Sequence, residues 1–244
     1  MRWIYLSPHL DDAVLSAGGL MYEQTRSGIR VEIWTLMSGV PSGGEASPFA
    51  QLLHQQWGFS SAEEAVGSRR EEDRKAAQIV GATARHFDFL DCIYRRDENG
   101  KWLYDQISLP PQGLDRRLPR QMADAISSRL EPDDVLVCQL SVGSHVDHVL
   151  VRQAAELLGH PLLYDVDIPY LFYKPEELAP KSVGMEKTVY AVTESGLQSW
   201  QEAVLAYTSQ LPALGDAMKT PELAAASLRS YWAEQGGIPL WRVS

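Results

Sequence analysis

The chain has 244 residues, of which 45% are hydrophobic, 22% charged and 9% aromatic, proportions that exclude disordered, collagenous and coiled-coil readings. A net charge of −10 lacks the electrostatic footprint of a nucleic-acid or membrane-surface binder. Cys92 and Cys138 are the only cysteines, too few and too far apart for a disulfide framework or a thiolate metal site. Trp3 to Leu6 is an apolar run stopped by Ser7-Pro8, which predicts a buried strand. Asp12 to Ser27 carries Val14, Leu15, Leu20 and Met21 at helical spacing and closes before Gly28. Val31 to Met37 reads as the second strand, Ala62 to Val80 as a charged amphipathic helix, and Arg85 to Leu90 as the third strand. A helix over Leu114 to Leu130 stops at Pro132, a fourth strand spans Asp134 to Leu140, and a helix over Val149 to Leu158 precedes Gly159. Leu162 to Tyr164 and Thr188 to Val192 add strands, and helices over 196–209 and 221–232 finish the chain.

Apolar strands alternating with amphipathic helices predict an α/β fold. It is read as one Rossmann-like domain over residues 1–244, a mostly parallel sheet with helices on both faces. Gly39 to Ser61 and Asp91 to Pro111 fit no element, yet both carry aromatics, which points to binding loops. Ser42 to Ser61 is expected to line or cover the pocket mouth. No apolar run approaches the roughly 20 residues of a membrane helix. The N-terminus turns acidic too early for a signal peptide, so the expectation is a soluble, cytoplasmic protein.

Ser7-Pro8-His9-Leu10-Asp11-Asp12 sits where the first strand hands over to the first helix, the end at which open α/β sheets bind ligands. One imidazole and two carboxylates there could ligate a metal or carry protons. Equally, Asp11 or Asp12 could cap the helix. Ser144-His145-Val146-Asp147-His148 follows the fourth strand and occupies the equivalent place. His145 and His148 are three apart, which in a helical turn sets both rings on one face. Together the clusters read as a mononuclear metal site. Nitrogen and carboxylate donors without cysteine suit a catalytic Zn²⁺, and manganese or iron could use the same set. His54, His86 and His160 have no motif around them and read as non-catalytic. Gly18-Gly19 lies within a helix and is not the GxGxxG of a dinucleotide site.

His-x-Asp-Asp after the first strand and His-x-Asp-His after a later one resemble the LmbE-like/PIG-L-like zinc N-deacetylases. Arg69 to Gly81 is similar to that family's Arg-x-x-Glu helix, Phe89-Leu90-Asp91 to its following strand end, and Tyr207-Thr208-Ser209-Gln210 to its late Tyr-x-Ser-Gln. The resemblance implies zinc ligands at His9, Asp12 and His148, a general base at Asp11, and His145 near the substrate carbonyl. In that mechanism His145 is protonated to stabilise the charge on oxygen, and Asp147 orients an imidazole. Arg69 and Asp91 match positions that help hold the sugar. The implied substrate is a small N-acylated sugar or glycoconjugate, with no nucleic acid or membrane partner; a homo-oligomer stays open. Leu10 and Val146 each replace a proline of the family motifs, and Ala13 replaces a glutamate. A tyrosine found shortly before the second motif in some members is unmatched at Gly143 and Ser144, and an upstream lysine falls at Trp200. Two other readings compete: a zinc hydrolase of another amide or ester, and a metal- or sugar-binding relative without catalysis. Asp11 argues against the latter, because metal binding alone needs no second carboxylate.

Overall fold

β1 (Arg2–Ser7) is buried along its whole length and lies in the middle of the sheet, as an uninterrupted apolar run in a parallel sheet should. The computed structural model describes residues 1–43 and 45–244; Gly44, inside the 39–61 stretch, lies outside the described residues. After β1 come α1 (Asp12–Arg26), β2 (Arg30–Thr35), α2 (Pro48–Trp57), α3 (Ala62–Ile79) and β3 (Thr83–His86). The middle of the chain forms α4 (Leu118–Ser127), β4 (Val135–Gln139), α5 (Val146–Glu156) and β5 (Leu162–Asp165). Two short helices, α6 (Tyr170–Tyr173) and α7 (Leu178–Lys181), then lead to β6 (Met185–Tyr190), α8 (Glu194–Val204), α9 (Pro221–Gln235) and β7 (Ile238–Val243).

The seven strands form one sheet in the order β3-β2-β1-β4-β5-β7-β6. The first five are mutually parallel, and β7 runs antiparallel to both β5 and β6. Strand order reverses between β1 and β4, which lie side by side with Leu6 opposite Cys138. Such a reversal opens a crevice at the carboxyl ends of the two strands. The alternation of side chains along β1 builds a core on each face. Trp3 and Tyr5 pack with α1 and Trp200, whereas Ile4 and Leu6 pack with Trp34, Met122 and Leu150. The mostly parallel sheet with helices on both faces is therefore as the sequence implies.

Four elements were not expected: α2, β7 and the short helices α6 and α7. α2 lies inside the stretch read as irregular, although its signals are present: Ser47 caps it by accepting from Ala50 N–H, Pro48 opens it and Gly58 closes it. β7 extends the sheet beyond the last predicted helix, its proline placed where the chain pairs only in antiparallel fashion. β3 also starts two residues earlier and stops sooner than the Arg85–Leu90 reading. Among the described residues no helix is long and apolar enough to cross a membrane.

Trp200 of α8 is fully buried, and its indole N–H donates to Val14 O at 2.7 Å. It fits only because α1 offers glycine: a Cβ on Gly18 would fall 2.6 Å from Trp200 Cδ1. Gly18→Ala should therefore destabilise the fold by about 1–3 kcal/mol through overpacking. Gly67→Ala, on the exposed face of α3 where a Cβ meets nothing within 4 Å, should stabilise it by about 0.5–1 kcal/mol. Urea unfolding of the two variants reads the difference, and equal midpoints would refute the close-packing argument.

Candidate active site

β1 ends at Ser7, whose hydroxyl donates to His9 O at 2.7 Å and accepts from Ala13 N–H at 3.0 Å. Ser7 thus serves the first turn of α1, and Asp11 makes no side-chain cap bond. The helix-cap alternative for Asp11 falls. Asp12 Oδ2 accepts from His9 N–H at 2.8 Å and stands 3.2 Å from His9 Nδ1 and 3.3 Å from His148 Nε2. The nearest ion-pair partner of Asp11 is Arg69, with Nη2 3.7 Å from Oδ1.

The loop after β4 delivers the second cluster. His145 is the N-cap of α5, its Nδ1 accepting from Asp147 N–H at 3.1 Å, which leaves the proton of a neutral ring on Nε2. His148 Nδ1 lies 2.7 Å from Asp167 Oδ1, and Asp167 Oδ2 accepts from Val142 N–H at 2.7 Å. His148 Nε2 is buried without a hydrogen-bond partner. The rings of His9, His145 and His148 gather with centroids 4.7–5.4 Å apart. Asp147 is wholly buried; it pairs with Arg95 and accepts from Cys92 N–H at 2.9 Å, and its Oδ2 is 3.0 Å from His9 Nε2. Arg95 in turn meets Asp115 at 2.8 Å. Asp91 Oδ2 stands 3.6 Å from His9 Nε2.

A cavity of about 340 Å³ opens over these groups. His9, Asp11, Asp12, Arg69, Asp91 and His145 line it together with apolar Leu53, Trp57, Ile93, Ile107, Tyr170 and Leu214. The structure thus brings all eight predicted residues to one place, with Asp147 and His148 behind the lining. Arg69 is buried, its Nε has no hydrogen-bond partner, and its guanidinium lies 4.8 Å from the Trp57 ring centre. Only part of the 42–61 stretch reaches this cavity, through Leu53, Gln56 and Trp57. Ser42, Gln51, Gln55 and Phe59 line a second cavity of about 720 Å³ instead. The departure at Val146 has a structural reason: its N–H donates to Ile107 O at 2.8 Å, a bond proline cannot make. The three histidines outside the motifs are engaged elsewhere, His54 with Tyr94, His86 with Asp73 and His160 with Glu131 O.

Burial and neighbouring charge separate the two adjacent aspartates. Burial, reinforced by the charge of Asp12, pushes Asp11 up to about 7. Burial also pushes Asp12 upward, but His148 and His9 overcome it and hold the carboxyl below its ordinary range. Against burial, Asp91 and Asp12 raise His9, and Asp12 and Asp167 raise His148. His145 goes the other way: burial, with His9 and His148 nearby, holds it well below the ordinary histidine value. The expected protonated His145 is therefore corrected to a neutral ring in this environment. Burial pushes the Cys92 thiol far up, so it offers no thiolate.

Sequence reasoning missed Asp167, Arg95, Tyr170 and the placement of Gln210. Asp167 had a usable signal, since it follows β5 at the same sheet edge as the two motifs. Gln210 reaches the cavity because its loop is tied to α3: Tyr207 O–H donates to Asp73 at 2.8 Å and Ser209 O–H to Glu72 at 2.6 Å.

The sequence model of the PIG-L family, described as GlcNAc-PI de-N-acetylase, matches residues 4–158. The chain belongs to this family. It is 26% identical over 266 residues to 2′-N-acetylparomamine deacetylase of Niallia circulans, covering 99% of this chain and 94% of that protein. Teicoplanin deacetylase in its zinc-inhibited form superposes with a TM-score of 0.84 at 28% identity, over 99% of this chain and 97% of that one. The A40926 pseudoaglycone deacetylase does so with a TM-score of 0.79 at 28% identity, over 100% and 98%. The chain is accordingly an enzyme of the deacetylase class, a hydrolase of amides.

The Arg95–Asp147 pair is buried at both ends, with side-chain exposures of 7% and 0%. Removing one partner of such a pair costs about 3–5 kcal/mol. Arg95→Met should lose stability in that range at pH 7, read by urea unfolding. Arg95 overcomes burial to hold the folded Asp147 carboxyl below its ordinary value. Its contribution is full above the unfolded pKa of about 3.9 and is lost as pH falls. The deficit of the variant should narrow below pH ~4; a constant deficit would contradict the pairing.

Proposed function

We propose that this enzyme is a zinc-dependent N-deacetylase that removes an acyl group, chiefly acetyl, from the amine of an amino sugar or glycoconjugate. The observation that carries the reading is the orphaned, buried Nε2 of His148 facing Asp12 and His9, with an uncapped Asp11 beside them. His9, Asp12 and His148 would hold the ion, because two nitrogens and a carboxylate oxygen without thiolate form a catalytic zinc set that keeps a position open. Manganese or iron accepts the same donors. When bound, the ion supplies Lewis acidity, acidifying water and polarising the acyl oxygen.

The remaining work falls to side chains of the chain itself. Asp11, pushed up to about 7, accepts a proton from the attacking water and returns it to the leaving nitrogen. His145 is neutral with its proton on Nε2, so it donates a hydrogen bond to the acyl oxygen as charge builds there. Asp167 and Asp147 position the imidazoles of His148 and His9 and fix which nitrogen faces the ion. Arg69 offers free donors, and Asp91 an acceptor, to the hydroxyls of a sugar. Relatives named for acetylated paromamine and for teicoplanin support a sugar-bearing substrate.

The neighbouring aspartates give the decisive comparison. Asp12→Ala should lose bound metal and turnover together. Asp11→Asn should keep the metal yet lose about 10²–10⁴ in kcat. Elemental analysis and release of primary amine from a panel of N-acetylated amino sugars, each enzyme loaded with one equivalent of zinc, measure both. Full turnover by Asp11→Asn would remove it as the base.

Metal affinity should also depend on pH. His9 and His148 have raised pKa values in the metal-free protein and must lose protons to ligate. Zinc affinity should therefore rise between pH 6 and pH 8, as measured by chelator competition on the metal-free protein. A flat profile would count against this ligand set.

A further inference from the structure

Gly143 precedes the His145 turn with φ of +87°, and a Cβ there would fall 2.4 Å from Cδ1 of Tyr170. The Tyr170 ring fills that space. It opens α6 three residues after Asp167, the carboxylate that holds His148, so one turn both orients a histidine and presents the phenol. The ring stands edge-on to two imidazoles, with centroids 5.4 Å from His148 and 6.4 Å from His145. Tyr170 lines the cavity beside His9, Asp11 and Asp12 and is partly exposed to it. The hydroxyls of Tyr5, Tyr94, Tyr104, Tyr164, Tyr173 and Tyr207 all hydrogen-bond within the protein. That of Tyr170 has no partner among the described residues; those of Tyr22, Tyr190 and Tyr231 have none either, but of these four only Tyr170 lines the cavity.

Packing against Gly143 and the imidazoles needs only the ring, so it leaves the hydroxyl unexplained. The charge of the site supplies the reason for it. Asp11, Asp12 and Asp91 put three carboxylates on the cavity lining, and an acyl oxygen gaining negative charge there needs donors to offset them. We propose that Tyr170 is a further catalytic residue, its phenol donating a hydrogen bond to the acyl oxygen of the substrate alongside Nε2–H of His145. The inference rests on amide hydrolysis at this site. The phenol keeps its proton throughout; the hydrogen bond strengthens as the carbonyl carbon becomes tetrahedral and weakens as the amine leaves.

Tyr170→Phe keeps the ring and deletes only the donor. Expected is a fall in kcat of about 10²-fold, the scale of losing one oxyanion donor. Bound zinc, KM and the unfolding midpoint should stay at the parent values. Affinity for a methylphosphonamidate analogue of the N-acetyl sugar, which mimics the tetrahedral state, should fall by about the same factor. A kcat within about twofold of the parent overturns the proposal, and so does a loss confined to KM. Asp11→Asn, assayed in parallel, separates the two levels. If it lowers turnover while Tyr170→Phe stays within about twofold of the parent, the tyrosine role falls and hydrolysis stands. If neither variant changes turnover, Asp11 falls as the base and the tyrosine role falls with it; if the zinc-loaded parent releases no amine from any N-acetylated amino sugar, the hydrolytic reading falls and takes this proposal with it.

Discussion

Burying Asp12 between His9 and His148 is the constraint from which the rest of the site follows. A carboxylate taken out of water must be met by opposite charge or by hydrogen bonds, or it gives up its ionisation. Asp12 is met by two imidazoles and a backbone N–H, Asp147 by Arg95 and His9, and Asp167 by His148 and the Val142 N–H. Each acidic group that fixes a histidine is thus itself fixed. What this network leaves over is the Nε2 of His148, which makes no hydrogen bond and stands 3.3 Å from Asp12, and the carboxylate of Asp11, whose nearest ion-pair partner is Arg69 at 3.7 Å.

The sheet makes that balance possible. Because β1 and β4 are adjacent and parallel, the chain segments leaving them arrive side by side, and the N-termini of α1 and α5 converge on the same crevice. Neither motif could build the site alone. His9 and Asp12 come from one strand end and His148 from the other, while β5, next in the sheet, adds Asp167 and Tyr170. Departures from the family motifs respect this plan. Leu10, Ala13 and Val146 are all buried, and none displaces a side chain that lines the cavity as a donor.

Legibility in the sequence followed how local each feature is. The two clusters were readable because their chemistry is packed into five or six consecutive residues at strand ends, and periodicity located those ends. Arg95 and Tyr170 escaped because each acts through a partner distant in sequence and nothing adjacent marks it; Asp167 carried only its place after β5, and its partner His148 lies on another element. The tyrosine that the second motif lacks illustrates this: position 143 is glycine, and the space a side chain there would take is filled by Tyr170 of α6. The ionisation of His145 was misread for a related reason. The protonated ring came from the mechanism that the family resemblance implies, whereas complete burial beside two other imidazoles, visible only in three dimensions, favours the neutral ring. α2 was hidden differently, its Ser-Pro start and Gly stop submerged in a stretch rich in the same residues.

These differences in construction divide the labour within the cavity. The floor, with His9, Asp11, Asp12 and His145, stands on strand ends and first helical turns inside the sheet's hydrogen-bond framework. The wall comes from α2 and the 91–111 segment, which carry Leu53, Trp57, Ile93 and Ile107. α2 is capped at both ends by its own residues, so it can vary in sequence without loosening the floor. Arg69 joins the two: it springs from α3, approaches Asp11 on one side and lies against Trp57 on the other. Its unsatisfied Nε is affordable because a cation over an aromatic face keeps part of the stabilisation that water would give. Apolar surface and one buried cation thus border the cavity, while the carboxylates of Asp11 and Asp12 lie at its floor. The hydrolysis proposed for the floor needs neither feature, so recognition can vary on this fold while the proposed chemistry stays fixed.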